Sequence, residues 1–125
     1  MNVVDSSGWL EYFADAPNAG FFAPPIADVS RLLVPSLSIY EVFKRTLQQR
    51  NEGDALQAVA AMQQGTVVDL DTSLALTAAR ISIQEQLPMA DSVMLATALA
   101  YRATLWTQDS DFREVKGVKY IAKQS

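Results

Sequence analysis

The sequence predicts an α/β fold, with three layers (α/β/α) around a central, mostly parallel sheet of four to five strands. Short apolar runs alternate along the chain with longer segments of helical periodicity. Strands joined through helices form right-handed βαβ units, which build parallel sheets covered on both faces. Runs that are apolar throughout are typical of strands buried on both faces. At 125 residues, the chain is expected to form one domain, residues 1–125.

The first half of the chain contains two predicted strands and four predicted helices. The strands are 2–4 and 32–34, and the helices are 6–13, 18–30, 36–50 and 54–64. The two strands are short apolar runs that end at Asp5 and at Pro35. The third helix has an apolar stripe, whereas two adjacent prolines make the second helix irregular. Gly65 is predicted to be the C′ residue, which follows the end of the fourth helix.

The second half of the chain adds three predicted strands and two predicted helices. The strands are 66–70, 104–106 and 118–121, and the helices are 72–86 and 90–101. β-Branched residues dominate the first of these strands. Asp71 or Thr72 can cap the first helix, and Pro88 ends it. The second helix is apolar nearly all round, so we expect it to be buried.

The composition limits the chemistry that the protein can perform. The chain contains no Cys and no His. Disulfides, thiolate metal sites and catalytic triads or dyads that need His are therefore excluded. An enzyme with this composition must use carboxylates, hydroxyls, Lys or Arg, or a hard cation held by oxygen ligands. The fourteen Asp and Glu residues favour the cation.

Charge and hydropathy predict a soluble cytoplasmic protein with no membrane partner. The N-terminus lacks the basic segment of a signal peptide, and the longest apolar stretch is 93–101. That stretch is about half of the ~20 residues that a membrane-spanning helix needs. The net charge of −4 argues against a general attraction to nucleic acid.

Four acidic residues are expected to meet at one edge of the predicted sheet. Asp5 directly follows the first strand, and Asp109 comes shortly after the fourth. Glu41 and Asp91 lie in the first turns of helices, which begin at the edge where parallel strands end. Mg²⁺ and Mn²⁺ prefer oxygen ligands, and two such ions can hydrolyse a phosphodiester without a protein base. The pattern therefore predicts a metal site at this edge.

Each acid also has a structural interpretation. Asp5 can cap the first helix, and Glu41 can form a capping box with Ser38. Asp109 lies among residues that are common in turns. Asp91 is harder to explain in this way, because a carboxylate at the start of a buried helix needs a partner or a raised pKa.

Four segments of the sequence carry a resemblance to a known family. They are 3–13, 38–42, 87–98 and 105–112. In order and spacing they resemble the PIN-domain family, and in particular the VapC-type toxin ribonucleases of prokaryotic toxin–antitoxin pairs. The resemblance spans nearly the whole chain and implies a single PIN-like nuclease domain over 1–125.

The resemblance implies an activity and a set of partners. The activity is that of a Mg²⁺- or Mn²⁺-dependent endoribonuclease, the toxin of a type II toxin–antitoxin system. It would hydrolyse RNA phosphodiester bonds with a metal-activated water. The implied partners are an RNA substrate such as tRNA, a cognate antitoxin protein, and a second copy of the chain in a homodimer.

The resemblance also implies site residues. The metal-binding and catalytic acids of the family fall on Asp5, Glu41, Asp91 and Asp109. Asp111 competes with Asp109 for the fourth position. Ser7 and Thr107 match hydroxyls that support the site, although local turn bonding explains them equally well.

Substrate and antitoxin contacts are less clear from the sequence. Two basic groups can contact RNA or form ordinary solvated surfaces: Lys44, Arg45 and Arg50, and Arg113, Lys116 and Lys119. The early aromatic residues belong either to the core or to a groove that accepts an antitoxin: Trp9, Tyr12, Phe13, Phe21 and Phe22.

Two other functions compete with the nuclease. One is a receiver-like signalling domain that binds Mg²⁺, which needs an acid pair after the first strand, where Asp5 stands alone. The other is a catalytically silent PIN scaffold that acts through protein contacts. The complete set of acids argues against the scaffold.

Overall fold

One parallel sheet organises the protein in a computed structural model that describes residues 1–124. Within those residues the sheet has five strands, in the order β3-β2-β1-β4-β5, and every pairing is parallel. The strands are β1 (Asn2–Val4), β2 (Leu32–Pro35), β3 (Thr66–Val68), β4 (Thr104–Thr107) and β5 (Val118–Tyr120). The predicted α/β class and parallel sheet are confirmed.

Helices connect the strands and cover both faces of the sheet. They are α1 (Ser6–Phe13), α2 (Ala19–Ala27), α3 (Ser36–Gln49), α4 (Glu52–Met62), α5 (Thr72–Glu85) and α6 (Met89–Ala100). The irregular segment predicted over 18–30 is α2, which contains both prolines, followed by a 3₁₀ turn. None of the helices in the described part of the chain has the length and hydropathy to cross a membrane.

The two faces of the sheet bury different helices, because successive strand side chains point to opposite sides. Val3 and Leu105 pack with residues of α5 and α6. Val4 and Val34 pack with residues of α1 to α4. The three predicted layers are therefore present. Trp9 belongs to the second core and is fully buried.

The capping box that the sequence allowed for Ser38 and Glu41 does not form. Helix α3 begins at Ser36, directly after Pro35, so Ser38 lies within the first turn. The Ser38 hydroxyl is buried and donates to the Met94 sulfur at 3.1 Å, so it links α3 to α6. Glu41 is consequently free to interact outside its own helix.

The C′ position predicted for Gly65 is wrong, because α4 ends at Met62 and Gln63 is its C-cap, which makes Gln64 the C′ residue. Among the described glycines, Gly117 alone has a positive φ, at 81°. Gly65 instead lies against β2, where a Cβ atom would be 2.9 Å from the Leu32 carbonyl oxygen. Glycine is required there for the close approach of two backbones.

The strand order places a crevice at the carboxyl ends of β1 and β4. From β1 the chain moves to β2 and β3 on one side, and then returns to β4 on the other side of β1. Open parallel sheets bind ligands where the strand order reverses in this way. Helix α6 runs back to β4 and contacts β1, β2 and β4. Its first turn therefore lies near the same crevice.

Candidate metal centre

Three carboxylates converge in this crevice. Asp5 follows β1, Asp109 lies just beyond β4, and Asp91 lies in the first turn of α6. One oxygen atom from each carboxylate lies within 4.8 Å of the others. Asp5 and Asp91 are only 5% and 7% exposed, whereas Asp109 is half-buried. The topology thus brings together acids that are far apart in sequence.

The arrangement fits a hard divalent cation. Ligands on opposite sides of an octahedral Mg²⁺ are about 4.2 Å apart, twice the ~2.1 Å ligand distance. Oxygen atoms that lie within 4.8 Å of one another can reach one such ion with small side-chain adjustments. The donors are carboxylates without nitrogen or sulfur, which suits Mg²⁺ or Mn²⁺.

Burial, together with repulsion between the clustered carboxylates, raises the pKa values of Asp5 and Asp91. Burial is the main reason that the pKa of Asp5 is raised to about 6, and the Asp109 and Glu41 charges add to the effect. Burial also dominates the shift of Asp91, whose pKa is raised to about 8, with further contributions from Asp5, Asp109 and Asp111. A divalent cation would favour the charged carboxylates and reverse these shifts.

Asp5 both caps a helix and belongs to the cluster. Its Oδ1 atom accepts a hydrogen bond of 2.9 Å from the Ser6 backbone N–H at the start of α1. Its Oδ2 atom accepts hydrogen bonds from the hydroxyls of Thr107, at 2.8 Å, and Ser7, at 3.3 Å. The capping interpretation and the site interpretation of Asp5 are therefore compatible.

Thr107 connects the two strands that carry the cluster. Its buried hydroxyl donates to Asp5 and accepts a hydrogen bond of 3.0 Å from the Asp109 backbone N–H. One side chain thus fixes the acid after β1 relative to the acid after β4. This contact is more than the local turn bond that the sequence allowed.

Glu41 lies beside the cluster and not within it. Its carboxylate accepts a hydrogen bond of 2.6 Å from the Ser6 hydroxyl, and its side chain is half-buried. Ser6 adjoins Asp5 in the chain, and the Glu41 charge contributes to the raised pKa of Asp5. The structure therefore brings three of the four predicted acids together and holds the fourth next to them through Ser6.

Asp111 occupies the rim of the cluster. It is exposed, and its backbone N–H donates to Asp109 Oδ1 at 2.9 Å. Its carboxyl group also raises the pKa of Asp91 through a hydrogen bond. Asp109 forms the cluster with both Asp5 and Asp91, whereas Asp111 does not belong to it.

A buried polar network next to the cluster was missed by the sequence interpretation. The Glu11 carboxylate is buried and accepts hydrogen bonds from the Asn18 backbone N–H, at 2.8 Å, and from Gln108 Nε2, at 3.2 Å. Asn18 Nδ2 donates to Gln108 Oε1 at 3.0 Å and to the Ala122 carbonyl at 3.1 Å. The network links α1, the turn after it, the loop after β4 and the chain after β5.

The position of Gln108 was the available signal for this network. Gln108 lies between Thr107 and Asp109, two residues already assigned to the site. Glu11 and Asn18 gave no comparable signal, because an acid in an amphipathic helix and an Asn after a Pro are both ordinary surface residues.

The sequence matches a family over nearly its whole length. The family model of the PIN domain matches residues 3–118. The chain therefore belongs to the PIN domain family, and the resemblance identified from the sequence is confirmed. No curated protein matches the chain in sequence.

Solved structures share the fold at low sequence identity. A toxin–antitoxin complex from Klebsiella pneumoniae matches with a TM-score of 0.80 and 18% identity, covering 94% of this chain and 95% of that one. The sarcin–ricin-loop-cleaving toxin VapC20 of Mycobacterium tuberculosis matches with a TM-score of 0.79 and 15% identity, covering 95% and 98%. DNA-bound VapBC from Salmonella typhimurium matches with a TM-score of 0.74 and 14% identity, covering 98% and 97%. These similarities show that the protein has a PIN-like fold.

Proposed function

We propose that the protein is a metal-dependent endoribonuclease and the toxin of a toxin–antitoxin pair, and that the whole chain, 1–125, acts as one nuclease domain in the cytoplasm. The observation that carries the proposal is the convergence of Asp5, Asp91 and Asp109 in a PIN domain. The similar structures include a toxin that cleaves the sarcin–ricin loop, which supports an RNA substrate.

The proposal gives each site residue a role. Asp5, Asp91 and Asp109 would hold Mg²⁺ or Mn²⁺, with Glu41 beside them. Bound there, a divalent cation supplies the charge that activates water and stabilises the leaving oxygen of a phosphodiester. Thr107 and Ser7 orient the Asp5 carboxylate by donating hydrogen bonds to it. In metal enzymes, such supporting contacts tune the affinity for the ion.

The sheet order argues against the receiver-like alternative. Receiver domains have the strand order 2-1-3-4-5, in which the third strand lies beside the first. Here β1 lies between β2 and β4, and β3 is at the edge of the sheet. An acid after β3, such as Asp69, would therefore lie far from Asp5, so the receiver site cannot assemble.

A groove that none of the clustered carboxylates lines offers a surface for an antitoxin partner. The groove has a volume of about 600 Å³ and lies between α1, α3 and α4. Leu10, Phe13 and Ala58 line it, and Arg50 and Asp54 form a salt bridge of 2.7 Å at its rim. A toxin–antitoxin complex is among the structures with this fold. We place the antitoxin here, and we also propose a homodimer, which light scattering would test.

Cleavage of RNA tests the proposed function. Purified protein incubated with total RNA should cut it with Mn²⁺ and should not cut it with EDTA. Asp91→Asn should lower the rate of RNA cleavage by more than the ~10–100-fold effect of removing a supporting contact to a metal ligand. Asp69→Asn is the matched control, because Asp69 is exposed and follows the edge strand β3. Cleavage that needs no metal, or an Asp91→Asn variant as active as Asp69→Asn, would contradict the proposal.

Growth of the host cell separates a toxin from a housekeeping nuclease. Expression of the wild-type chain should arrest growth, and co-expression of the neighbouring reading frame should restore it. Asp91→Asn should not arrest growth. Unimpaired growth with active wild-type protein would remove the toxin assignment and leave the nuclease in place.

A further inference from the structure

A pocket of about 420 Å³ opens beside the carboxylate cluster. Asp109 lines the pocket and belongs to the cluster, so the pocket adjoins the cluster. Ser7, from the start of α1, lines it as well, and Tyr120 contributes from the end of β5. The volume falls within the ~300–1,000 Å³ that is typical of small-ligand sites.

Two basic side chains line this pocket, Arg113 and Lys123. The salt bridges found within residues 1–124 involve other residues, so neither cation is paired with a carboxylate there. Unpaired cations beside a site that would hold a metal are suited to bind a second part of an anionic substrate. A phosphate group is the anion that matches, since Arg donates two parallel hydrogen bonds to it and Lys adds a point charge.

The other candidate cations are placed differently. Lys119 lies over the Trp106 ring, with Nζ 4.4 Å from the ring centre. Lys44 lies 5.7 Å from the centre of the Tyr40 ring. Lys116 is exposed and does not line the pocket. Of the basic residues predicted after the Asp109 loop, only Arg113 borders the pocket, and Lys123 was not among them.

We infer that this pocket binds the nucleotide next to the scissile bond, with Arg113 and Lys123 contacting its phosphate and Tyr120 contacting its base. Single-stranded RNA is recognised by aromatic side chains that stack on unpaired bases, together with cations that follow the backbone. The pocket combines both features beside the carboxylates. The inference rests on the proposed function, because it places the scissile phosphate at the carboxylate cluster.

Binding of a short, fluorescein-labelled single-stranded RNA tests the pocket. Fluorescence anisotropy would be measured with Mn²⁺ in an Asp91→Asn background, so that the RNA is not cut. Arg113→Gln and Lys123→Gln should each weaken binding about fivefold at about 0.1 M salt, because one phosphate contact contributes a slope of about 0.7 in log K against log salt. Lys116→Gln is the matched control, since it removes the same charge outside the pocket, and it should retain the affinity and the slope.

Tyr120 supplies a second measurement. Tyr120→Phe keeps an aromatic ring and should keep the affinity, whereas Tyr120→Leu should lower it by at least about fivefold. Thermal melting of each variant would show whether the fold is intact.

The outcomes separate the pocket from the proposed function. If Arg113→Gln and Lys123→Gln bind RNA as tightly as Lys116→Gln does, the inference is overturned. A pocket that accepts an acidic segment of a protein instead of RNA would give this result. If these variants lose affinity as expected but wild-type protein with Mn²⁺ cuts no RNA, the proposed function fails, and the pocket remains an RNA-binding site with no scissile bond beside it.

Discussion

At the scale of single residues, the Thr107 hydroxyl links the acid after β1 to the acid after β4. It donates to Asp5 and accepts from the Asp109 backbone, so it fixes two of the three converging acids. Removing a neighbour that orients a metal ligand lowers the metal affinity by about 10–100-fold.

Thr107→Val should therefore weaken Mn²⁺ binding by about 10–100-fold, because Asp5 and the Asp109 N–H each lose a partner. Isothermal titration calorimetry measures this directly. Thr97→Val is the matched control, since Thr97 is equally buried and its hydroxyl donates only to the Val93 carbonyl within α6. Equal Mn²⁺ affinities in the two variants would show that Thr107 does not position the site.

At the scale of elements, the contact between α1 and α2 fixes the position of the helix that Asp5 caps. Gly8 lies in the first turns of α1, and a Cβ atom there would be 2.6 Å from the Phe22 ring and 2.9 Å from Val4 Cγ1. Both neighbours are fully buried. The helix that Asp5 caps can therefore approach the sheet and α2 only because residue 8 has no side chain.

Gly8→Ala should lower the free energy of unfolding by about 1–3 kcal/mol, the typical cost of overpacking a core. Gly20→Ala should raise it by about 0.4–1 kcal/mol by restricting the unfolded chain, because a Cβ atom at this position meets nothing within 4 Å. Urea denaturation of both variants measures the two values. A Gly8→Ala variant as stable as Gly20→Ala would mean that α1 and α2 pack more loosely than described.

At the scale of the whole molecule, the net charge matches the candidate site. Without Asp5, Glu41, Asp91 and Asp109, ten acidic residues remain against ten basic residues. The net charge of −4 therefore equals the charge of those four carboxylates, which two divalent cations would balance. The acidic composition does not argue against an RNA substrate once the site is loaded.

The same charges make the stability of the metal-free protein depend on pH. Asp5 and Asp91 have folded-state pKa values of about 6 and about 8, above the 3.8 of an unperturbed Asp. The folded state therefore holds more protons than the unfolded state, and stability falls as pH rises from about 4 towards 8. In EDTA, the urea midpoint should be lower at about pH 8 than at about pH 5.

Asp91→Asn should flatten this dependence, whereas Asp69→Asn should not. Added Mn²⁺ should stabilise the wild-type protein more at the higher pH, because the ion competes with protons for the carboxylates. A wild-type stability that rises with pH in EDTA would contradict the raised pKa values.

Much of the fold was predictable because the patterns that define its elements are local. Solid apolar runs and helical periodicity lie within single segments, so the strands and helices were located to within a few residues. Predictions that needed three-dimensional packing were less successful. The Ser38 hydroxyl donates to Met94 on another helix. A glycine is needed at position 65 because of the close Leu32 backbone and not because a helix ends there.

The sequence by itself determined the α/β class, the parallel sheet and the set of acids near its carboxyl edge, since chain order and strand ends imply them. Only the tertiary structure decided that Asp109 forms one cluster with Asp5 and Asp91, and that Glu41 does not. It alone also revealed the network of Glu11 with Gln108 and the pocket lined by Arg113. Distances of a few ångströms between side chains from separate elements depend on how helices and loops pack, and no local pattern encodes that packing.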